Sequence, residues 1–148
     1  MPGELTEDAS GSGDPPPRWP APWWVRVPAD APQVGRLRRH LRTWLADDHL
    51  DPDTSDDLVM AVSEALENCC DHAYPADVAT RPMTLTATEI AGRLVITVED
   101  EGRWQPPDTG PSSRGRGLDL IRQLVDEVEI VGGPDGTHLT LTHRRVAP

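Results

Sequence analysis

The chain of 148 residues reads as a two-layer α/β sandwich of the α+β kind, with a mixed, mostly antiparallel sheet and helices on one face. Three observations predict this. Residues 82–99 alternate apolar and polar at period two on either side of Ala91-Gly92, as a β-hairpin does. Two earlier stretches repeat apolar residues at spacings of three and four, as helices with one buried stripe do. Each stripe is one-sided, so the helices lie against a single face of the sheet.

Residues 1–22 are rich in Pro, Gly, Ser and acids, with Pro15-Pro16-Pro17 at their centre. Such a segment has too little apolar surface to fold alone and reads as a disordered tail, leaving 23–148 as the domain. Trp23-Trp24-Val25-Arg26-Val27-Pro28 reads as a strand stopped by its proline. Asp30 or Ala31-Pro32 starts a helix with Pro32 in the first turn. Val34, Leu37, Leu41, Trp44 and Leu45 form its inward face. Arg36, Arg38, Arg39 and Arg42 load the rest, either as a solvated face or as contacts to phosphate or carboxylate.

Residues 47–53 read as a loop. Thr54 or Ser55 then caps a second helix, with Asp56 and Asp57 at the positive end of its dipole and Pro75 just past its end. Its buried stripe is Leu58, Val62, Ala65, Leu66, Cys69 and Ala73. Beside the stripe run Glu64, Asn68 and His72, about one turn apart. A carboxylate, a carboxamide and an imidazole thus form a column along the edge of the buried face, where a plain amphipathic helix would carry Lys, Gln or Ala.

After the hairpin, the chain from Gly102 to Arg116 has no apolar period and is rich in Gly, Pro and Ser. A loop of this length inside a compact domain is usually functional, and we expect a mobile lid. It leads through Arg114-Gly115-Arg116-Gly117 into a helix with Leu118, Ile121, Leu124 and Val125 inward. Strands at 128–131 and 137–142, joined by a turn over 132–136, close the domain.

The formal net charge is −11, which argues against direct nucleic-acid binding, because phosphate contacts need a basic face. A basic protein partner, met in a salt-sensitive way, fits better; solubility alone would also account for the acidity. Cys69 and Cys70 are helix neighbours pointing about 100° apart, poor geometry for a mutual disulfide, so they read as two thiols in a reducing cytoplasm. With no long apolar run, no membrane segment is expected.

Each polar feature has a chemical rationale. The Asn68 amide oxygen is a hard ligand suited to Mg²⁺ that already carries water and phosphate oxygens. A carboxylate beside it, Glu64, can take a proton from water or a hydroxyl. Asp100, in Asp100-Glu101-Gly102 at a strand end, can accept a hydrogen bond from an exocyclic amine. Gly115-Arg116-Gly117 at a helix start lets backbone N–H groups approach phosphates.

In this order the motifs resemble the GHKL family, the histidine-kinase-like ATPases with the Bergerat-type ATP-binding fold. The nearest branch is the anti-sigma-factor serine/threonine kinases of bacteria. Ser63-Glu64-Ala65-Leu66-Glu67-Asn68 through His72-Ala73-Tyr74 is similar to the family's N-box. Asp100-Glu101-Gly102 is similar to its first glycine box, Arg114-Gly115-Arg116-Gly117-Leu118 to its second, and Asp135-Gly136-Thr137 to its closing motif. The resemblance covers roughly Trp23 to Arg144 and departs at Trp104, where the fuller first box has a further glycine.

The resemblance implies an ATP- and Mg²⁺-dependent protein kinase that sequesters a sigma factor and phosphorylates a Ser or Thr of an anti-sigma-factor antagonist. It also implies a homodimer in the cytoplasm, with Trp23 and Trp24 either anchoring the interface or packing on the protein's own core. Asn68 would hold Mg²⁺ and Glu64 would be general base or water positioner. Asp100 would read adenine, with Thr137 near the base through water. Gly102, Gly115 and Gly117 would shape the lid and phosphate cradle, with Arg114 and Arg116 as phosphate contacts or solvated lid charges. The alternative is a non-catalytic ATP-binding interaction module of the same fold.

Overall fold

Two helices separate the first two strands, and that excursion sets the sheet. The computed structural model describes residues 21–46, 50–72, 81–102 and 113–144, and the side chains of all of these except 72 and 113–116. The elements are β1 (Trp23–Pro28), α1 (Ala31–Ala46), α2 (Pro52–His72), β2 (Pro82–Ile90), β3 (Arg93–Asp100), α3 (Ser113–Leu124), β4 (Glu127–Gly133) and β5 (Gly136–Arg144). The strands form one five-stranded sheet in the order β1-β2-β3-β5-β4. All neighbouring strands are antiparallel, so the described sheet contains none of the parallel pairing that a mixed sheet would have. The reason is topological. β3 and β4 do run the same way on either side of α3, but β5 lies between them and pairs with both.

Register puts one row of apolar side chains on the helix side. Val25 stands opposite Leu85, Leu85 opposite Val98, Val98 opposite Leu139, and Leu139 opposite Ile130. With Leu37, Leu41, Leu45, Leu58, Leu66 and Ile121 they belong to a single core. The other face carries Thr84, Thr86, Thr88, Thr97, Thr140 and Thr142, all half-buried. α2 is the central helix, packed on α1, α3 and β3.

Period two also separates the two tryptophans. Trp23 packs on the core and stacks on His40 of α1, ring centroids 6.1 Å apart. Trp24 points to the opposite face and is 68% exposed. The expectation that the two act together is therefore corrected, because neighbouring strand residues face opposite sides of a sheet.

The caps explain the helix starts. Asp30 caps α1, its Oδ1 accepting from the Gln33 N–H at 3.2 Å. α2 begins earlier than the expected Thr54 or Ser55. Asp51 is its cap, with Oδ2 accepting from the N–H groups of Asp53 and Thr54 at 3.1 and 3.2 Å. Pro52 then fills the first helical position, where the missing N–H costs nothing. α3 likewise starts at Ser113, so Arg114-Gly115-Arg116-Gly117 lies within its first turns rather than before it. β4 and β5 are longer than expected, leaving only Pro134-Asp135 as the turn. Most of the expected tail (1–20) and of the expected lid (103–112), Trp104 included, lie outside the described residues.

The hairpin turn between β2 and β3 has positive φ at both central residues, 54° at Ala91 and 79° at Gly92. That is the twist-matched two-residue turn, which favours Asn-Gly. Glu89 accepts a hydrogen bond from the Gly92 N–H and closes it. An L-alanine held at positive φ costs on the order of 1 kcal/mol. Ala91→Asn should therefore raise unfolding free energy by about 0.5–1 kcal/mol in urea denaturation, with an unchanged m-value.

Candidate functional site

The site lies where α2 meets the start of α3 and the ends of β3 and β5. On α2, Glu64 and Asn68 are both half-buried. The element facing them is α3, at Gly117, which is itself buried. A Cβ added there would stand 3.0 Å from Glu64 Oε2 and 3.7–3.8 Å from the carboxamide atoms of Asn68. Absence of a side chain at Gly117 therefore leaves Glu64 and Asn68 their present places. Any larger residue would press the carboxylate aside.

Burial raises the pKa of Glu64 above its ordinary value of 4.5, and the neighbouring negative charge of Glu67 raises it further. Arg38 of α1 reaches this part of α2. Its Nε–H donates to Ser63 Oγ at 2.9 Å, and Nη2 lies 3.8 Å from Glu67 Oε2. Ser63 in turn donates to the Val59 carbonyl at 2.8 Å. α1 is thus tied to α2 next to the column by a cation whose place the arginine-rich face did not single out.

Asp100 ends β3 and stands opposite Thr137 of β5. Its Oδ1 accepts from the Gly102 N–H at 3.1 Å, and Oδ2 accepts from the Cys69 thiol at 3.7 Å. Burial pushes its carboxyl up, while hydrogen bonds from Gly102, Cys69 and the Thr137 backbone, and the nearby His138, pull it down. The backbone around it is close-packed. Gly136 sits at φ +146°, and a Cβ there would overlap the Asp100 carbonyl. Only glycine meets both demands without strain.

The structure therefore brings Glu64, Asn68 and Gly117 together. Through Cys69, the residue after Asn68, it adds Asp100 with its neighbours Gly102 and Thr137. The backbones of Arg114, Gly115 and Arg116 lie in the first turn of α3, and that of His72 in the last turn of α2, but their side chains are outside the described residues. Sequence reasoning missed Cys69 because its place on the apolar stripe accounted for it fully. It also missed the role of Gly136, which follows from its close approach to β3 and so needs the pairing of β3 with β5.

Among the described residues no three His, Cys, Asp or Glu side chains converge as a metal site. The donor set suits a divalent ion held by one amide oxygen, the rest of its oxygens coming from phosphate and water. The close approach of the side-chain-free Gly117 to Glu64 and Asn68, and an Asp that accepts hydrogen bonds at a strand end, suit a nucleotide.

A model of the histidine kinase-like ATPase domain matches residues 27–143. Serine-protein kinase RsbW of Bacillus licheniformis is 31% identical over 121 residues, covering 72% of this chain and 75% of that kinase. Serine-protein kinase RsbW of Bacillus subtilis matches with the same identity and coverage. Among solved structures, the RsbU and RsbW domains of a Mycobacterium tuberculosis protein superpose with a TM-score of 0.69 at 32% identity, over 86% of this chain. The match covers 33% of that solved chain.

The raised pKa of Glu64 has a consequence for stability. Near neutral pH the carboxylate is charged in both folded and unfolded chains, and its folded environment disfavours the charge. Below pH 4.5 it is protonated in both, and the penalty disappears. Glu64→Gln should thus be slightly more stable than the parent at pH 7, and the difference should shrink as pH falls through the carboxylate range. Urea denaturation of both proteins at pH 7 and pH 4 (values about neutral and about the carboxylate range) checks the sign.

Proposed function

The chain belongs to the histidine kinase-like ATPase family, and on that premise we propose that it is an ATP-binding anti-sigma factor acting as a serine/threonine kinase on an anti-sigma-factor antagonist. One observation carries the reading. Gly117 of the second glycine box lies against both Glu64 and Asn68 of the N-box, so the residues proposed for phosphate, proton and metal are neighbours in space. The relatives named serine-protein kinases support the choice of reaction.

In this reading ATP supplies the transferable γ-phosphoryl group. Asn68 would hold Mg²⁺ through its amide oxygen. Asp100 would accept the exocyclic N–H of adenine, with Thr137 beside it on β5. Gly102 keeps the chain close to Asp100, and Gly115 and Gly117 let the α3 backbone approach phosphate, with Arg114 and Arg116 as added phosphate contacts. Glu64 would take the proton from the hydroxyl of the partner's Ser or Thr. Its raised pKa brings it nearer the working pH of a general base. Two free thiols suit a reducing compartment, and we place the protein in the cytoplasm. No helix among the described residues is long and apolar enough to cross a membrane.

Calorimetry with ATP, with and without Mg²⁺, tests the core of this. We expect Mg²⁺-dependent binding, loss of the metal dependence in Asn68→Ala, and a preference for adenine over guanine that falls about ten- to a hundredfold in Asp100→Asn. Glu64→Gln should bind ATP yet fail to label the antagonist. No ATP binding by the parent chain would sink the proposal; binding without phosphotransfer would leave the non-catalytic module.

We further propose a homodimer using the threonine-rich sheet face. Trp24, exposed on that face at the β1 edge, is its natural anchor. Sedimentation should show a dimer at tens of micromolar (on the order of a moderate dimer affinity), weakened by Trp24→Ala and not by Met60→Ala, since Met60 is an exposed apolar residue on α2. A monomer at that concentration would end the dimer proposal.

A further inference from the structure

Asp100 is surrounded by donors, and one of them is a side chain that the reading above leaves without a role. A carboxylate offers about four lone-pair sites. The Gly102 N–H takes one on Oδ1 at 3.1 Å, and the Cys69 thiol takes one on Oδ2 at 3.7 Å. Acceptor capacity is left on both oxygens, and an ionised carboxylate can receive only donors. That is the chemistry of an exocyclic amine, and the opposite of a ring carbonyl at the same position.

The two donors differ in kind. The Gly102 amide belongs to the backbone just past the end of β3. Cys69 belongs to α2 and follows Asn68 directly. It is 4% exposed, and its neighbour Asn68 points about 100° away around the helix. The thiol is the one side-chain hydrogen bond to Asp100 among the described residues, and it joins the base-reading carboxylate to the helix that carries Glu64 and Asn68.

We propose that Cys69 is a positioning residue for base recognition, its thiol holding the Asp100 carboxylate in the orientation that accepts the adenine amine. This rests on the reading of Asp100 as the adenine contact. A purely apolar role, as a small core side chain, is the competing account.

The test uses the full chain and titration calorimetry with three ligands: ATP, GTP, and purine riboside triphosphate, which has the adenine ring system without its exocyclic amine. Cys69→Ala should lower the preference for ATP over purine riboside triphosphate by about three- to tenfold, with less than about twofold change for the amine-free ligand. Cys69→Val, apolar and somewhat larger than cysteine, fills the place without a donor and should do the same, which guards against a loosened helix in the alanine variant. Cys69→Ser, which restores a donor, should retain the preference. Equal weakening of both ligands, or an unchanged preference in both Ala and Val variants, would overturn the proposal while leaving the adenine reading intact. A parent chain that binds ATP no better than purine riboside triphosphate or GTP would overturn the adenine reading and this proposal together.

Discussion

The contact between Gly117 and the Glu64/Asn68 edge of α2 is the constraint on which the rest of the site depends. α2 has to do two things at once. Its apolar stripe packs on α1 and the sheet through Leu58, Val62, Leu66 and Cys69, all essentially buried. In the proposed function its flank also presents a carboxylate and a carboxamide, Glu64 and Asn68, to a ligand. A helix entering beside that flank would normally close it with its own side chains. α3 begins there with a glycine-rich turn, so the helix backbone comes close while Glu64 and Asn68 stay only half-buried. The cost of a glycine inside a helix, of order 1 kcal/mol against alanine, is the cost of that opening.

The sheet makes the second half of the site. Antiparallel pairing of β3 with β5 puts Asp100 opposite Thr137, and the close approach of Gly136 fixes the ends of both strands against each other. Asp100 is then held by the Gly102 amide and the Cys69 thiol in a partly desolvated place. Its carboxyl is pulled both ways, up by burial and down by hydrogen bonds. Such a group adds little to the stability of the fold, which supports the role in ligand recognition proposed for it.

Charge is distributed with similar economy. The chain is strongly acidic, yet α1 carries Arg36, Arg38, Arg39 and Arg42. Two of these are engaged with α2: Arg38 with Ser63 and Glu67, and Arg42 with Asp56 at 3.0 Å. The Arg42–Asp56 pair is exposed and contributes little to stability. Arg38 matters more through position, because it faces the one acidic neighbour that raises the pKa of Glu64.

Local patterns in the sequence carried much of this. The hairpin followed from period two around Ala91-Gly92, α1 and α2 from their apolar stripes, and the Glu64/Asn68 column from a spacing of four on one helix. Those are properties of neighbours along the chain, and helix or strand geometry converts them directly into shared faces. What tertiary structure decided involves residues far apart in sequence. That Gly117 comes against Glu64 depends on how α3 crosses α2. That Trp23 packs inward while Trp24 faces out depends on which side of β1 the helices cover. The antiparallel sheet follows from β5 entering between β3 and β4, which no local pattern encodes. Cys69 is the clearest case. On the stripe it is a small apolar residue, and its contact with Asp100, 31 positions along the chain, exists only because α2 lies over the end of β3.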